Sequence, residues 1–332
     1  MKLYYKFKPR GAINGWMPGK APVIPKGFRM CQDAFVIKED HLYRMWFSWS
    51  DPRIIAYSES MDGVEWEYPT AVLPIVPGSE WEGNEVCRPC ILYKDGRYHM
   101  WYTGKTYPSE NSRATSCIGY ATSDDGLNWQ RHGNPVLIQE EPWEGNGVTY
   151  SHVLWDDEEE RYKMWYSAEE IREAKAIGYA TSKDGINWKK YECNPILSPC
   201  ENHYFEAMAV SGSYVIRQDG FYYLFYTGFD KDGIPSLGLV RSKDGISAWA
   251  SHPSNPICAG TDGSWDWLGI RSPSVMMDQG QVKIWYTGLD RGIRNIGLLI
   301  HDGISLAFDG KVGDERSRMP ELYSSKESGE GM

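Results

Sequence analysis

One strand motif comes round five times in this chain. The copies are Met45-Trp46-Phe47-Ser48, Met100-Trp101-Tyr102-Thr103-Gly104, Met164-Trp165-Tyr166-Ser167, Leu224-Phe225-Tyr226-Thr227-Gly228 and Ile284-Trp285-Tyr286-Thr287-Gly288. Their central aromatics are spaced 55, 64, 60 and 60 residues apart. A fixed period of this kind means that one supersecondary unit is repeated and stacked. Each copy is followed by a second motif, best kept in Ile118-Gly119-Tyr120-Ala121-Thr122-Ser123, then Asp125-Gly126 and Trp129. The last copy is worn, at Ile296-Gly297-Leu298 with Asp302-Gly303. Three copies end on Asn-Pro, at Asn134-Pro135, Asn194-Pro195 and Asn255-Pro256.

The period reads as four strands. Strand A is short and apolar, as in Pro89-Cys90-Ile91-Leu92, and strand B is the Met-Trp-Tyr segment. Strand C is Ile-Gly-Tyr-Ala-Thr, and strand D carries the Trp after an Asp-Gly turn. Asp-Gly between apolar segments is a strong hairpin signal, because the turn needs positive φ. The expected class is therefore all-β, a five-bladed β-propeller with four antiparallel strands per blade. Nothing marks a domain boundary, so residues 1–310 read as one domain. The stretch from Trp16 to Ile24 reads as an isolated outer strand that pairs with the last blade and closes the ring. Residues 311–332, rich in Ser, Glu, Gly and Lys, read as a disordered polar tail.

Composition narrows the partners. Aromatic residues make up 14% of the 332 residues, which suits β-sheets and carbohydrate handling. A net charge of −10 argues against nucleic acid and against an anionic membrane surface. No apolar run has the length of a span or of a signal peptide's core. Seven cysteines make no disulfide framework, and the expected location is the cytoplasm. Cys87 and Cys90 form a lone C-x-x-C without the second ligand pair that zinc would need, so no metal and no cofactor is expected.

In a propeller the A strands line the axis, and the D-to-A loops open on one face. Here those loops are long, and long loops on a rigid scaffold carry function. They hold Trp81, Trp143, Phe205, Trp265 and Trp267, with Glu82, Glu85, Glu144, Glu206 and Asp266 nearby. Sugars stack on aromatics and bond carboxylates. Features that recur in register, such as Trp81-Glu82, Trp143-Glu144, Phe205-Glu206 and Trp265-Asp266, also suit a packing role between blades. The informative positions break the repeat. Counting back equally from each strand B aromatic gives Asp33, Arg88, His152, Gly212 and Ser272, with Arg271 one residue earlier. Charged groups at the head of an apolar strand are costly unless paired or wet.

The segments Tyr98-His99-Met100-Trp101-Tyr102-Thr103-Gly104 and Ile177-Gly178-Tyr179-Ala180-Thr181-Ser182-Lys183-Asp184-Gly185-Ile186-Asn187-Trp188 resemble the five-bladed propeller glycosidases, families 43, 32, 68 and 130 and their relatives. The resemblance covers residues 16 to 310. In families 43 and 32 an Asp opens strand A of the first blade as base or nucleophile, and Asp33 matches it. Family 32 has Arg-Asp-Pro at the second blade, whereas here Arg88 is followed directly by Pro89. The acidic residue of a later A strand is absent in register. Family 130 phosphorolysis, with one carboxylate and a cationic cluster for phosphate, fits that departure.

The resemblance implies a glycoside-cleaving enzyme, hydrolytic or phosphorolytic, acting on an oligosaccharide or glycoside at the axial funnel. Asp33 is the expected catalytic carboxylate and Glu206 or Glu85 its partner acid. Arg88, His152 and Arg271 would bind an anionic group, inorganic phosphate included. Trp81, Trp143 and Trp267 would bind sugar. The alternative is a carbohydrate-binding propeller that has lost the catalytic carboxylates. A protein-interaction propeller of the WD type fits less well, because its Gly-His and Trp-Asp spacing is missing.

Overall fold

A computed structural model describes residues 16–19, 21–107, 115–169, 174–302 and 306, and the polar tail lies outside them. The first strand among the described residues is β1 (Trp16–Pro18). The first meander is β2 (Cys31–Glu39), β3 (Leu42–Trp49), β4 (Ile54–Ser60) and β5 (Thr70–Leu73). The second is β6 (Glu85–Lys94), β7 (Arg97–Thr106), β8 (Thr115–Ser123) and β9 (Gln130–Arg131). The third is β10 (Gly147–Asp156), β11 (Arg161–Glu169), β12 (Ala174–Ser182) and β13 (Trp188–Lys190). Next come β14 (Ala209–Gln218), β15 (Phe221–Phe229), β16 (Pro235–Ser242) and β17 (Ala250–Ser251), with β18 (Cys258–Ala259) also on β16. The last strands among the described residues are β19 (Gly269–Asp278), β20 (Gln281–Asp290) and β21 (Ile293–Asp302).

Neighbours within each meander pair antiparallel, and a parallel bridge from Gly147 to Ser116 joins the second and third into one sheet. The N-terminal strand supplies the outer edge of the last sheet: Trp16 faces His301 and Pro18 faces Leu299 in β21. The first and last strands among the described residues therefore share one sheet.

The strand B tryptophans explain how neighbouring units hold together. Trp46 Nε1 donates to the Gly126 carbonyl in the next unit at 2.8 Å, Trp101 to Gly185 at 2.8 Å and Trp165 to Gly245 at 2.8 Å. Trp285, in the last unit, donates to Gly63 in the first at 2.9 Å. The series thus closes on itself. All four indoles are fully buried, so each N–H needs such an acceptor. In the fourth unit the position is Phe225, which has no N–H to give.

A second bond repeats nearer the axis. In each A strand a backbone N–H donates to the Ser or Thr that follows the strand B aromatics of the preceding unit. The pairs are Asp33 to Thr287 (2.9 Å), Arg88 to Ser48 (2.8 Å), Tyr150 to Thr103 (3.3 Å), Gly212 to Ser167 (3.1 Å) and Ser272 to Thr227 (3.0 Å). At each of these residues the ladder to strand B is interrupted by a bulge, as between Gln32 and Phe35. Each also has positive φ, between 52° and 61°. The architecture is a β-propeller. Cys87 and Cys90 are buried in β6, and Cys90 Sγ accepts from the Val153 N–H.

Candidate functional site

The bulges turn five side-chain positions inward, and these define the axial ring: Asp33, Arg88, Tyr150, Gly212 and Ser272. The structure corrects the expected ring at one place. His152 does not occupy it; Tyr150 does. The hairpin between β10 and β11 has a four-residue turn, 157–160, where the other A-to-B turns have two, as at Asp95-Gly96. Counting back from Trp165 therefore overshoots by two residues. His152 falls in register with Phe35 and Tyr214 and packs against them, with ring centroids 5.9 and 4.2 Å away. Its Nε2 donates to the Val215 carbonyl at 2.9 Å. Burial pushes its pKa down to about 3, against a weaker upward pull from that bond. It is a neutral core histidine and no cation for a substrate.

Asp33 is 4% exposed. Its carboxylate accepts from Ser272 Oγ at 2.8 Å, Ser48 Oγ at 3.0 Å and Tyr150 OH at 3.2 Å. Arg88 Nε lies 3.9 Å away. Burial by itself raises the Asp33 pKa, but Arg88, Arg271, Ser272 and Ser48 outweigh it and hold the group below the usual carboxylate range. The axial carboxylate is therefore ionised.

Arg88 lies over the Tyr150 ring at 3.9 Å and donates to Thr149 Oγ1. Its Nη1 sits 3.9 Å from Glu169 Oε1, which Lys105 Nζ reaches at 2.5 Å. Burial raises the Glu169 pKa, and Lys105 and Arg88 more than reverse that. One guanidinium thus stands between two carboxylates, Asp33 on one side and Glu169 on the other. Arg271, on β19, donates to Gln32 Oε1 at 3.0 Å, and Arg294 donates to the same oxygen at 3.2 Å. The axial space, lined by Asp33, Arg88, Tyr150, Gly212 and Ser272 and further along the axis by Phe35, His152 and Tyr214, is about 30 Å³. That holds solvent and no sugar ring.

The other expected residues stand elsewhere. Glu206, in a 3-10 turn at Tyr204–Glu206, is fully buried; it accepts from Tyr226 OH at 2.5 Å and meets His203 Nδ1 at 2.7 Å. Its counterparts do the same: Glu82 with Tyr102, Glu144 with Tyr166 and Asp266 with Tyr286, at 2.7 to 2.8 Å. Arg131 and Lys190 neutralise Glu82 and Glu144. Trp81 and Trp143 cover the strand B tyrosines beside these carboxylates, and their rings lie where a Cβ on Gly119 or Gly178 would be. This places Glu206, Trp81 and Trp143 in the lateral packing between loops and strands. Glu85 accepts from Tyr107 OH at 3.0 Å and does not line the axial space. Trp267 donates to Asp290 at 2.5 Å and faces Arg291.

Of the expected site residues, then, Asp33, Arg88 and Arg271 converge. Tyr150, Ser48, Glu169, Lys105, Gln32 and Arg294 join them without having been singled out. The recurring Ser or Thr after each strand B aromatic pair was the available signal for Ser48. The lengthened acidic turn was the signal for Tyr150. Glu169 and Lys105 sit at the ends of strand B, where nothing in the repeat marks them.

The family described as Glycosyl hydrolases family 43 matches residues 20–294. An uncharacterized protein of Mycobacterium tuberculosis (strain CDC 1551 / Oshkosh) is 32% identical over 142 residues, 40% of this chain and 44% of that protein. The beta-1,2-mannobiose phosphorylase of Thermoanaerobacter sp. (strain X514) is 28% identical over 155 residues, 44% of this chain and 50% of that one. The chain thus spans about half the length of these curated relatives. A solved structure titled "Glycoside hydrolase" superposes with a TM-score of 0.72 at 17% identity, over 92% of this chain and 96% of the other.

Proposed function

This chain belongs to Glycosyl hydrolases family 43, and from that premise we propose that it is a glycoside-cleaving enzyme, a five-bladed propeller of four-stranded blades that works over Asp33. On this reading the propeller is its single domain and its place is the cytoplasm; the polar stretch 311–332 lies outside the described residues. The observation that carries the reading is the buried carboxylate at the centre of the ring, held by two hydroxyls, a phenol and a guanidinium. The buried carboxylates that serve packing, Glu82, Glu144, Glu206 and Asp266, recur in register, whereas Asp33 occurs once in the ring and answers to no repeated packing need.

An ionised Asp33 suits a base or a nucleophile and not a proton donor. The sugar binds on the loop face above the ring, with its anomeric carbon toward Asp33. The bond from that carbon to the glycosidic oxygen breaks, and the leaving oxygen takes a proton from solvent water in hydrolysis or from the attacking dihydrogen phosphate in phosphorolysis. A new bond forms from water in hydrolysis, with Asp33 accepting the water's proton, or from a phosphate oxygen in phosphorolysis. The second route has specific support. Asp33 and Glu169 are both held below the usual carboxylate range, so neither is set to donate a proton, whereas dihydrogen phosphate would bring one with it. A relative named as a phosphorylase shares 28% identity.

The test is a panel of oligosaccharides, β-1,2-mannobiose first, with and without phosphate, read by mass spectrometry. Release that falls at least about 100-fold in Asp33→Asn supports the assignment, since acid–base groups contribute on that scale. Phosphate dependence separates the two routes. Binding of sugar with no release would leave a carbohydrate-binding propeller instead.

A further inference from the structure

A concavity of about 870 Å³ lies away from the axis, between the last sheet and the first unit. Leu298 and Ile300 of β21 line it together with Trp66 and the run from Met17 to Pro25. Met17, Val64 and Tyr68, which also line it, are exposed. Apolar surface gathered in one place marks an interaction site, where single exposed apolar residues do not.

The strand edge beside this concavity is closed to pairing. The run after β1 continues along β21, with the Gly19 N–H on the Leu298 carbonyl at 2.8 Å and the Val23 N–H on the Ile296 carbonyl at 2.9 Å. Pro18, Pro22 and Pro25 offer no N–H, so a strand from a second copy finds no ladder there. The occupant must dock through side chains.

The sequence directly before β1 has the matching chemistry. Residues 1–15 lie outside the described residues. They contain Leu3, Tyr4, Tyr5 and Phe7, the cations Lys2, Lys6, Lys8 and Arg10, and no Asp or Glu. The concavity carries exposed Glu65 and Glu67 against one cation, Lys26. In an extended chain Leu3, Tyr5 and Phe7 share one face, and Lys6, Lys8 and Arg10 share the other. Asn14-Gly15, immediately before Trp16, is a dipeptide that favours chain reversal. The stretch from Leu3 to Ile13 is longer than the run from Met17 to Pro25 that it would follow back, so its reach suffices.

We infer that residues 3–13 turn back at Asn14-Gly15 and lie in this concavity, with Tyr5 and Phe7 on its apolar floor and Lys6 and Lys8 toward Glu65 and Glu67. The tether at Trp16 makes the docking intramolecular and its effective concentration high. The segment then touches both the last sheet and the first unit, and acts as a clasp over the seam that β1 closes.

The experiment places the photo-cross-linking amino acid p-benzoylphenylalanine at the position of Phe7 in the full chain. The protein is irradiated at low concentration, and the cross-links are mapped by peptide mass spectrometry. They should fall on residues 17–26 or 64–68 of the same chain. The double variant Glu65→Lys, Glu67→Lys changes two exposed side chains, so circular dichroism should stay that of the parent while the cross-link is lost. Cross-links that fall elsewhere overturn the inference. Cross-links found only between chains overturn it too, and assign the concavity to a second copy. A cross-link map unchanged in the folded double variant overturns it as well.

Discussion

Replacing Trp285 by Phe deletes one N–H from the seam between the last unit and the first. The indole nitrogen reaches the Gly63 carbonyl at 2.9 Å, and that carbonyl also accepts from Trp66 Nε1 at 3.1 Å. The acceptor is therefore not orphaned, and the loss is one net hydrogen bond, about 1 kcal/mol. The phenyl ring also leaves space beside Gly63 and the edge of Trp66, which stands T-shaped 6.3 Å from Trp285. A partly relaxed space of that size costs about 1 kcal/mol more. The expected destabilisation is about 2 kcal/mol, seen as a lower urea midpoint at unchanged slope. Trp101→Phe is the matched comparison. It loses a 2.8 Å bond to Gly185, which Trp188 also reaches at 3.0 Å, and Trp188 stands T-shaped at 6.2 Å. The two variants should lose equal stability, although one seam is sequential and the other joins the ends of the chain. No loss in Trp285→Phe would refute the hydrogen-bond reasoning. A loss twice that of Trp101→Phe would refute the equivalence of the seams.

Tyr150→Phe keeps the ring under Arg88 but removes a hydrogen bond to charged Asp33. The Asp33 pKa then rises, so the acid limb of the kcat/KM profile should move to higher pH, and an unmoved limb would sink that link. His152 is neutral in the fold, with its pKa near 3. The unfolded chain binds the extra proton first, so this residue removes stability as pH falls from about 6.5 toward 3. His152→Phe should flatten that slope in urea titrations taken at several pH values. Gly288→Ala places a Cβ 2.3 Å from the Trp265 ring. Neither partner can yield cheaply, and thermal melting should show a loss of about 2 to 4 kcal/mol.

The repeat made the strands legible because β-meanders write their period directly into apolar residues and Asp-Gly turns. β1 was also readable, since Trp16 continues the outer-strand pattern that closes on His301. Asp33 stood out because it breaks the repeat. Tyr150 escaped because a count along the chain assumes equal turns, and the 157–160 turn is two residues longer. Glu206 misled because sequence shows that a carboxylate recurs but not which way it faces. Three counterparts bonded to tyrosines settle that it faces the packing. Glu169 was invisible because its relation to Arg88 crosses between units and depends on where strand ends meet in space.

Four of the five axial residues carry a side chain in a backbone conformation that glycine adopts freely, with Gly212 the exception. Each such residue gives up about 1 kcal/mol. A chain selected for robustness alone would drift toward glycine at all four. Asp33, Arg88, Tyr150 and Ser272 instead keep their side chains there, as the proposed reaction site requires. Attempts to toughen this protein by consensus at the repeat should spare those positions, since the most natural stabilising exchange there is also the one that would empty the ring.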